Sequence, residues 1–392
     1  MTANDMGDMS GQTVRIFELV KFLSAYYSVN LATFQKPPNN LNPYIFKWFS
    51  LGRRLGLDDF GSIFGVFQLI KLIILMRKAI NFSDHKVFYT DSFYLLFLTK
   101  IIRIPTIFEL HGIATKELVS KGKLPRFSPI TMFFNNLFNW LYSLPKLVIT
   151  VTINLKLEYI RRTRKNNCVV IPNGVDVDRF IPITESDRLK VKKKYFICNN
   201  CLPIVYVSGM RPWHGLPDLL IELNPLLKKK SFQLYFVGEG PDLLKAKKRV
   251  KELCLNNEVH FLGSIHHSTV QEVMAISIFG LYFYGYDPFI IEHFDNIGHN
   301  PIKILEYMAV GVPVIVPNVT GLSNLIKKSS AGWIYDPKPG KLLDIVKIIF
   351  KNKEELRERG KKGRKYVMEN FRWDQAAQQI SLAINRLIAN TF

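Results

Sequence analysis

Cysteine is scarce in this chain. Four are spread over 392 residues, at 168, 198, 201 and 254, too few for a disulfide framework. Cys198-Asn199-Asn200-Cys201 is a lone C-x-x-C with no second pair near it, so an incidental loop pair fits better than a redox or zinc site. That usage suits a reducing, cytoplasmic compartment. Long apolar runs are missing too. The richest, FGVFQLIKLIILM at 64–76, is shorter than the roughly 20 residues that span a bilayer, and Lys71 interrupts it. The opening MTANDMGDMS has neither the basic region nor the apolar core of a signal peptide. There is no low-complexity tract and no repeat of fixed period. Acid is under-represented, with 32 Asp+Glu against 53 Lys+Arg and a formal charge of +21. Residues 1–180 carry 23 basic against 12 acidic side chains, so the excess is not confined to a tail. A basic surface of this kind points to phosphate-rich partners without choosing among lipid, nucleic acid and nucleotide.

What is present reads as α/β. Hydrophobic residues make up 48%, and the length suits about two domains. Short apolar runs alternate with helix-period segments, the mark of parallel sheets covered by helices. Strands are expected at 29–34, 87–89, 106–110, 147–151 and 169–171, then at 204–208, 233–237, 259–262, 280–283, 312–316 and 332–334. Helices are expected around 13–25, 62–80, 92–101 and 131–143. In the second half they fall around 215–229, 241–255, 268–276, 301–310, 321–328, 340–350, 353–370 and 373–389. Turn and charge signals place the domain limit near 180, giving domains 1–180 and 181–375 and a last helix, 376–392, that crosses back to the first. A helix, not a strand, begins the first domain. Either that domain lacks its first strand or the true start lies further upstream.

GHNPIKILEYMAVGVPVIVP (298–317) holds the densest chemistry. Pro301 opens a short helix at the point where its missing N–H is no loss, and Gly311 closes it. The first turn of such a helix presents free N–H groups and a positive dipole end to an anion. Lys303 and Glu306 stand on it. SGMRPWHG (208–215) and VGEGP (237–241) follow strands, and their glycines permit close approach of backbone to a ligand. TIFELHG (106–112) sets His111 at a strand's carboxyl end. FLGSIHHSTV (261–270) forms a further strand-end loop, with His266 and His267 facing solvent and no metal spacing.

Four of these stretches, VVIPNGVDVDRF (169–180), VYVSGMRPWHGLPDLL (205–220), LYFVGEGPDL (234–243) and NPIKILEYMAVGVPVI (300–315), resemble in order and spacing the retaining GT-B glycosyltransferases of family 4. The resemblance spans about residues 11–390 and is thin before 105. It implies two Rossmann-like domains facing across a cleft, the first on the acceptor side and the second holding a nucleoside-diphosphate sugar. A UDP- or GDP-sugar would be the donor, a glycan or lipid-linked sugar the acceptor, with retention at the anomeric carbon and no metal. It implies His111 near the donor sugar and Glu306 on the ribose hydroxyls. Diphosphate contacts fall at Gly209, Arg211, His214, Gly238, Gly240, Asn300, Ile302 and Lys303. IPNGV (171–175) becomes a hinge, and Trp213 a packing residue.

The sequence departs from that pattern. His214 stands where the family has lysine and Gly209 where it has arginine, with Arg211 the nearest permanent cation. Gly298 occupies the place of a first glutamate, as in a subset with the form S-P-x-K-x-x-E-Y. Glu292 and Asp295 are out of register for it, and Asn324 replaces a common acid. These departures keep open a catalytically weakened, sugar-nucleotide-binding scaffold subunit at a membrane surface, and a GT-B sugar-nucleotide epimerase. Nucleic-acid motifs are missing. The aromatic segment PITMFFNNLFNWLYSL (129–144), flanked by Lys121, Lys123, Arg126 and Lys146, fits a core helix pair or a peripheral contact with an anionic membrane's inner face.

Overall fold

The computed structural model describes residues 11–33, 39–45, 47–50, 87–92, 104–120, 123–266, 269–350 and 352–389, with residues 37, 74, 95 and 96. The helices expected over 62–80 and 92–101 lie outside the described residues, save for 74, 92, 95 and 96. So do the first ten residues and His267. The described residues fall into two α/β units, Met1–Asn173 with Trp373–Phe392, and Gly174–Arg372.

In the first unit α1 (Gly11–Leu23) precedes β1 (Asn30–Thr33), which pairs in parallel with β2 (Lys47–Ser50). A separate parallel sheet runs β3 (Phe88–Thr90), β4 (Thr106–Leu110), then β5 (Leu147–Thr150) and β6 (Cys168–Val170). Between β4 and β5 lie α2 (Ala114–Ser120) and α3 (Pro129–Tyr142), and α4 (Ile153–Thr163) joins β5 to β6. β4 is buried along its whole length, as a central parallel strand must be. Helix α4 went unnoticed in the sequence, although Thr152 announces it: its hydroxyl accepts the Leu155 N–H at 3.1 Å.

The second unit repeats the α/β plan more regularly. It runs α5 (Glu185–Lys194), β7 (Leu202–Val207), α6 (Leu216–Leu227), β8 (Phe232–Val237), α7 (Leu243–Glu252), β9 (Val259–Phe261), α8 (Val270–Ala275) and β10 (Gly280–Leu281). It continues with α9 (Pro288–Ile297), α10 (Ile302–Ala309), β11 (Val314–Pro317), α11 (Thr320–Ser329), β12 (Gly332–Tyr335), α12 (Lys341–Ile349) and α13 (Lys353–Asn370). Parallel ladders join β7-β8-β9 and β10-β11-β12. β10 lies beside β7, since the Ile278 N–H donates to the Pro203 carbonyl at 2.9 Å. The order 9-8-7-10-11-12 therefore reverses direction between β7 and β10. Such a switch leaves a crevice outside the strand carboxyl ends. Alternation along the strands feeds two cores: Ile204, Leu234 and Phe236 pack with α6, α7 and α12, while Val205, Tyr235 and Val237 pack with α8, α10 and α11.

The chain then returns to the first unit as α14 (Trp373–Ala389), which packs along α1 through Tyr27, whose hydroxyl donates to Asn385 Oδ1 at 2.9 Å. The unit limits fall at 173 and 372, ahead of the 180 and 375 expected. Val175, Val177 and Phe180 explain the first, because all are buried in the second unit's core.

Arg15 ties the first unit together. It is fully buried on α1, yet Nε donates to Glu109 Oε1 at 2.6 Å, Nη1 to the Pro172 carbonyl at 2.8 Å and Nη2 to the Ile171 carbonyl at 3.2 Å. Its guanidinium also lies 5.8 Å from the Trp373 ring centroid. Burial pushes the Glu109 carboxyl up, but Arg15 and then His111 outweigh it and hold it at about 2. Removing one partner of a buried pair strands the other charge, so Arg15→Ala should destabilise this unit by about 3–5 kcal/mol in denaturant titration. Because the folded pKa is depressed, Glu109's stabilisation is present above about pH 4 and fades as pH falls towards 2. The unfolding midpoint should drop across that window, and drop less in Glu109→Gln.

Candidate functional site

The residues of interest in the second unit gather at the strand ends beside the β7/β10 switch. Two turns, 208–215 after β7 and 238–242 after β8, meet backbone to backbone. A β-carbon at Gly238 (φ 115°) would sit 2.1 Å from the Ser208 carbonyl oxygen, and one at Gly240 would sit 2.1 Å from that of Gly209. What these glycines admit is neighbouring backbone, where the sequence suggested ligand. They hold the 208–211 turn, and the Asp242 N–H donates to the Met210 carbonyl at 3.0 Å.

Within that turn His214 is buried. Its Nδ1 accepts the Arg211 N–H at 3.3 Å and lies 2.7 Å from Ser208 Oγ, which itself accepts the Met210 N–H at 3.0 Å. An accepting Nδ1 leaves the ring proton on Nε2. Burial first, then the charges of Lys303, His299 and Arg211, push its pKa well below the ordinary histidine value. His214 is thus a neutral brace for the turn. Trp213 is half-buried and packs against the second unit's core, as expected, and its carbonyl accepts the Gly285 N–H at 3.3 Å.

Helix α10 is fixed by Tyr307. Its hydroxyl donates to the Val205 carbonyl at 2.6 Å, and its ring fills the space over Gly280, where a β-carbon would meet it at 2.3 Å. At the other end the Arg364 guanidinium donates to the Ala309 carbonyl, a cation at the negative end of the helix. Pro301 is the N-cap, and its side chain offers the first turn no hydrogen bond. The backbone N–H groups of Ile302 and Lys303 therefore remain available to an anion. Lys303 is half-buried, its Nζ 5.3 Å from the Tyr282 ring centroid. Burial lowers its pKa to about 8 against the opposing pull of Glu306. Glu306 itself is buried one turn further on, while Asn300 is half-buried just ahead of the helix.

Sequence reasoning missed the wall of this site. Helix α9 carries a readable start, Asp287 accepting the Phe289 N–H at 2.9 Å with Pro288 behind it, and a readable stop at Gly298. Gly298 has φ 63°, so the position that carries a glutamate elsewhere is here a left-handed helix stop. Its carbonyl oxygen would be 2.3 Å from a β-carbon at Gly321 on α11. Asp295 is committed to α11, accepting the Thr320 N–H at 2.7 Å and its hydroxyl at 2.6 Å. His299 bonds through Nδ1 to the Tyr284 hydroxyl and packs against Tyr282 and Phe294. Burial, then Lys303 and His293, lowers its pKa to about 3. Asn324 and His266 are exposed.

His111 belongs to the first unit, directly after β4. Its Nε2 lies 3.5 Å from Oε2 of the Arg15-bound Glu109 carboxylate. Among the described residues no three His, Cys, Asp or Glu side chains form a metal ligand set, and Cys198 and Cys201 are free thiols.

Comparison with known proteins agrees with this fold. The model of "Glycosyl transferases group 1" matches residues 187–366, and that of "Glycosyltransferase Family 4" matches residues 9–179. N-acetyl-alpha-D-glucosaminyl L-malate synthase of Bacillus anthracis is 24% identical over 279 residues, 71% of this chain and 66% of that protein. The GDP-mannose-dependent alpha-(1-6)-phosphatidylinositol monomannoside mannosyltransferase of Mycobacterium tuberculosis is 26% identical over 54% of each chain. The matches thus span between about half and two thirds of these relatives. Among solved structures, Anabaena HepE in complex with UDP and glucose superposes with a TM-score of 0.77 at 18% identity over 98% of both chains. Sucrose-phosphate synthase from Thermosynechococcus elongatus gives 0.78, also at 18% identity, over 100% of this chain and 98% of that one. Two parallel-sheet units, two family models laid end to end and this shared GT-B fold lead to one conclusion: the chain belongs to glycosyltransferase family 4.

Proposed function

We propose that the chain transfers a sugar from a nucleoside-diphosphate sugar, a UDP- or GDP-sugar, to a glycan or glycolipid acceptor with retention of anomeric configuration. The observation that carries this is the first turn of α10, opened by Pro301 and bearing a half-buried Lys303, at the β7/β10 switch. The departing group in such a transfer is a diphosphate, and the site must stabilise the charge that grows on it. The first-turn N–H groups, Lys303 and the Arg211 turn do so without solvent reorganisation. Lys303 and Arg211 both bear on the buried His214 ring, which keeps the turn rigid. Glu306 accepts the ribose hydroxyls. The leaving diphosphate takes the acceptor's proton on the face from which it departs, so no protein nucleophile is assigned. His111, beside Glu109, contacts the donor sugar. Support for the donor class comes from relatives whose names specify GDP-mannose and from a neighbour solved with UDP and glucose.

Lys303 gives this reading a pH signature. Near neutrality it is mostly protonated, and above about pH 8 the free protein loses that charge. Calorimetric affinity for UDP or GDP should weaken steadily from about pH 7.5 to about 9.5, as Lys303 loses its proton. Lys303→Met should cost one charge-assisted contact, about 1.5–3 kcal/mol or 10- to 100-fold in Kd, and flatten the pH dependence. Glu306→Ala should weaken UDP and GDP while leaving inorganic pyrophosphate binding unchanged, because only the ribose contact is lost. Thermal shift with each ligand checks this. If no nucleoside diphosphate raises the melting temperature of the unaltered protein, the transferase reading fails.

A further inference from the structure

Helix α3 carries a broad apolar face, interrupted on its other side by Asn135, Asn136 and Asn139. Its inner stripe is satisfied: Phe138 and Tyr142 are buried, with Tyr142 stacked on Phe108 at 5.8 Å. Its outer stripe is not. Met132 is 68% exposed and Phe133 63%, and Ile130 stands beside them. Phe127, in the loop just before the helix, is 88% exposed. Ile153 and Leu157, one turn apart on the adjoining α4, are exposed as well. An exposed apolar patch of this kind is ordinarily covered by protein or by lipid.

Charge says which. Between residues 121 and 168 the sequence holds nine Lys and Arg and a single acid, Glu158. That acid is occupied by Arg161 and Arg162, each at 2.7 Å. Arg162 also reaches Asn135 and Asn139 on α3, and Lys165 donates to the Ser143 carbonyl at 2.5 Å, which lock the two helices together. Exposed Lys123 and Arg126 precede α3, while Arg161 and Lys165 stand at its far end. Apolar and aromatic side chains thus project between two clusters of cations with no free carboxylate among them. A protein partner would need an acidic, apolar face of matching shape. An anionic bilayer supplies both properties without any shape requirement, taking the rings at the headgroup boundary and the cations on its phosphates.

We infer that the α3–α4 face docks the protein onto the surface of an anionic lipid bilayer, with Phe127 and Phe133 inserted and the flanking lysines and arginines on the headgroups. The inference deepens the transferase reading by pointing to a membrane-borne acceptor, yet the docking itself rests on α3 and α4 alone. The full chain, free of nucleotide, is sedimented with vesicles of phosphatidylcholine and with vesicles of equimolar phosphatidylcholine and phosphatidylglycerol. Binding is expected on the anionic vesicles only. It should weaken at least tenfold in Phe127→Ser/Phe133→Ser and in Lys123→Glu/Arg126→Glu, and both exposed-residue variants should keep the unaltered protein's melting temperature. No sedimentation with anionic vesicles overturns the inference. So does equal binding by the phenylalanine variant, which would mean that the diffuse charge of the whole surface is responsible. A concentration-dependent dimer abolished by Phe127→Ser/Phe133→Ser, without vesicle binding, would assign the face to a second copy and overturn it too. Nucleotide thermal shift is read separately, so the donor site and the docking face can fail independently.

Discussion

The structure of the second unit depends on how α10 is clamped between the two halves of its sheet. Tyr307 is the clamp: its phenol bonds the Val205 carbonyl of β7 while its ring lies on Gly280 of β10. One side chain thereby spans the switch point, and the helix axis has little freedom left. Arg364 and the close approach of Gly360 to the Gly311 carbonyl fix the helix from its other end. With the helix so held, the positive end of its dipole must open at the carboxyl ends of the strands. Position follows from packing, and chemistry follows from position.

A second consequence is electrostatic. Placing Lys303 over the Tyr282 ring, beside two histidines that burial keeps neutral, concentrates positive potential in a patch with a low dielectric. The aromatic and imidazole rings raise the value of each charge by excluding water, without cancelling it. His214 and His299 are thus structural in a way that serves the site: charged, they would repel Lys303. In the first unit the order is reversed, since there a buried carboxylate, Glu109, is kept ionised by Arg15 and presents its second oxygen to His111.

How much of this was legible in the sequence depended on whether the signal was local. The α/β alternation, the helices from α6 onward except α9, and the glycine-bounded strand ends are carried by periodicity over about ten residues, and they emerged at nearly their expected limits. Helix α9 was overlooked even though Asp287-Pro288 and Gly298 mark both its ends. The neutrality of His214 could not be read from the sequence, because burial and the Ser208 partner are tertiary facts. Arg15 was invisible: nothing in GQTVRIFELV discloses that its guanidinium meets residues 94 to 158 positions away. Long-range polar contacts leave no period in a sequence.

The central claim is that a diphosphate is held by the first turn of α10. A crystal structure of the chain with UDP or GDP tests it most directly. The account predicts phosphate oxygens within hydrogen-bonding distance of Lys303 Nζ and of the N–H groups of Ile302 and Lys303, with the ribose on Glu306. A diphosphate bound elsewhere, leaving that helix turn without an anion, would contradict it.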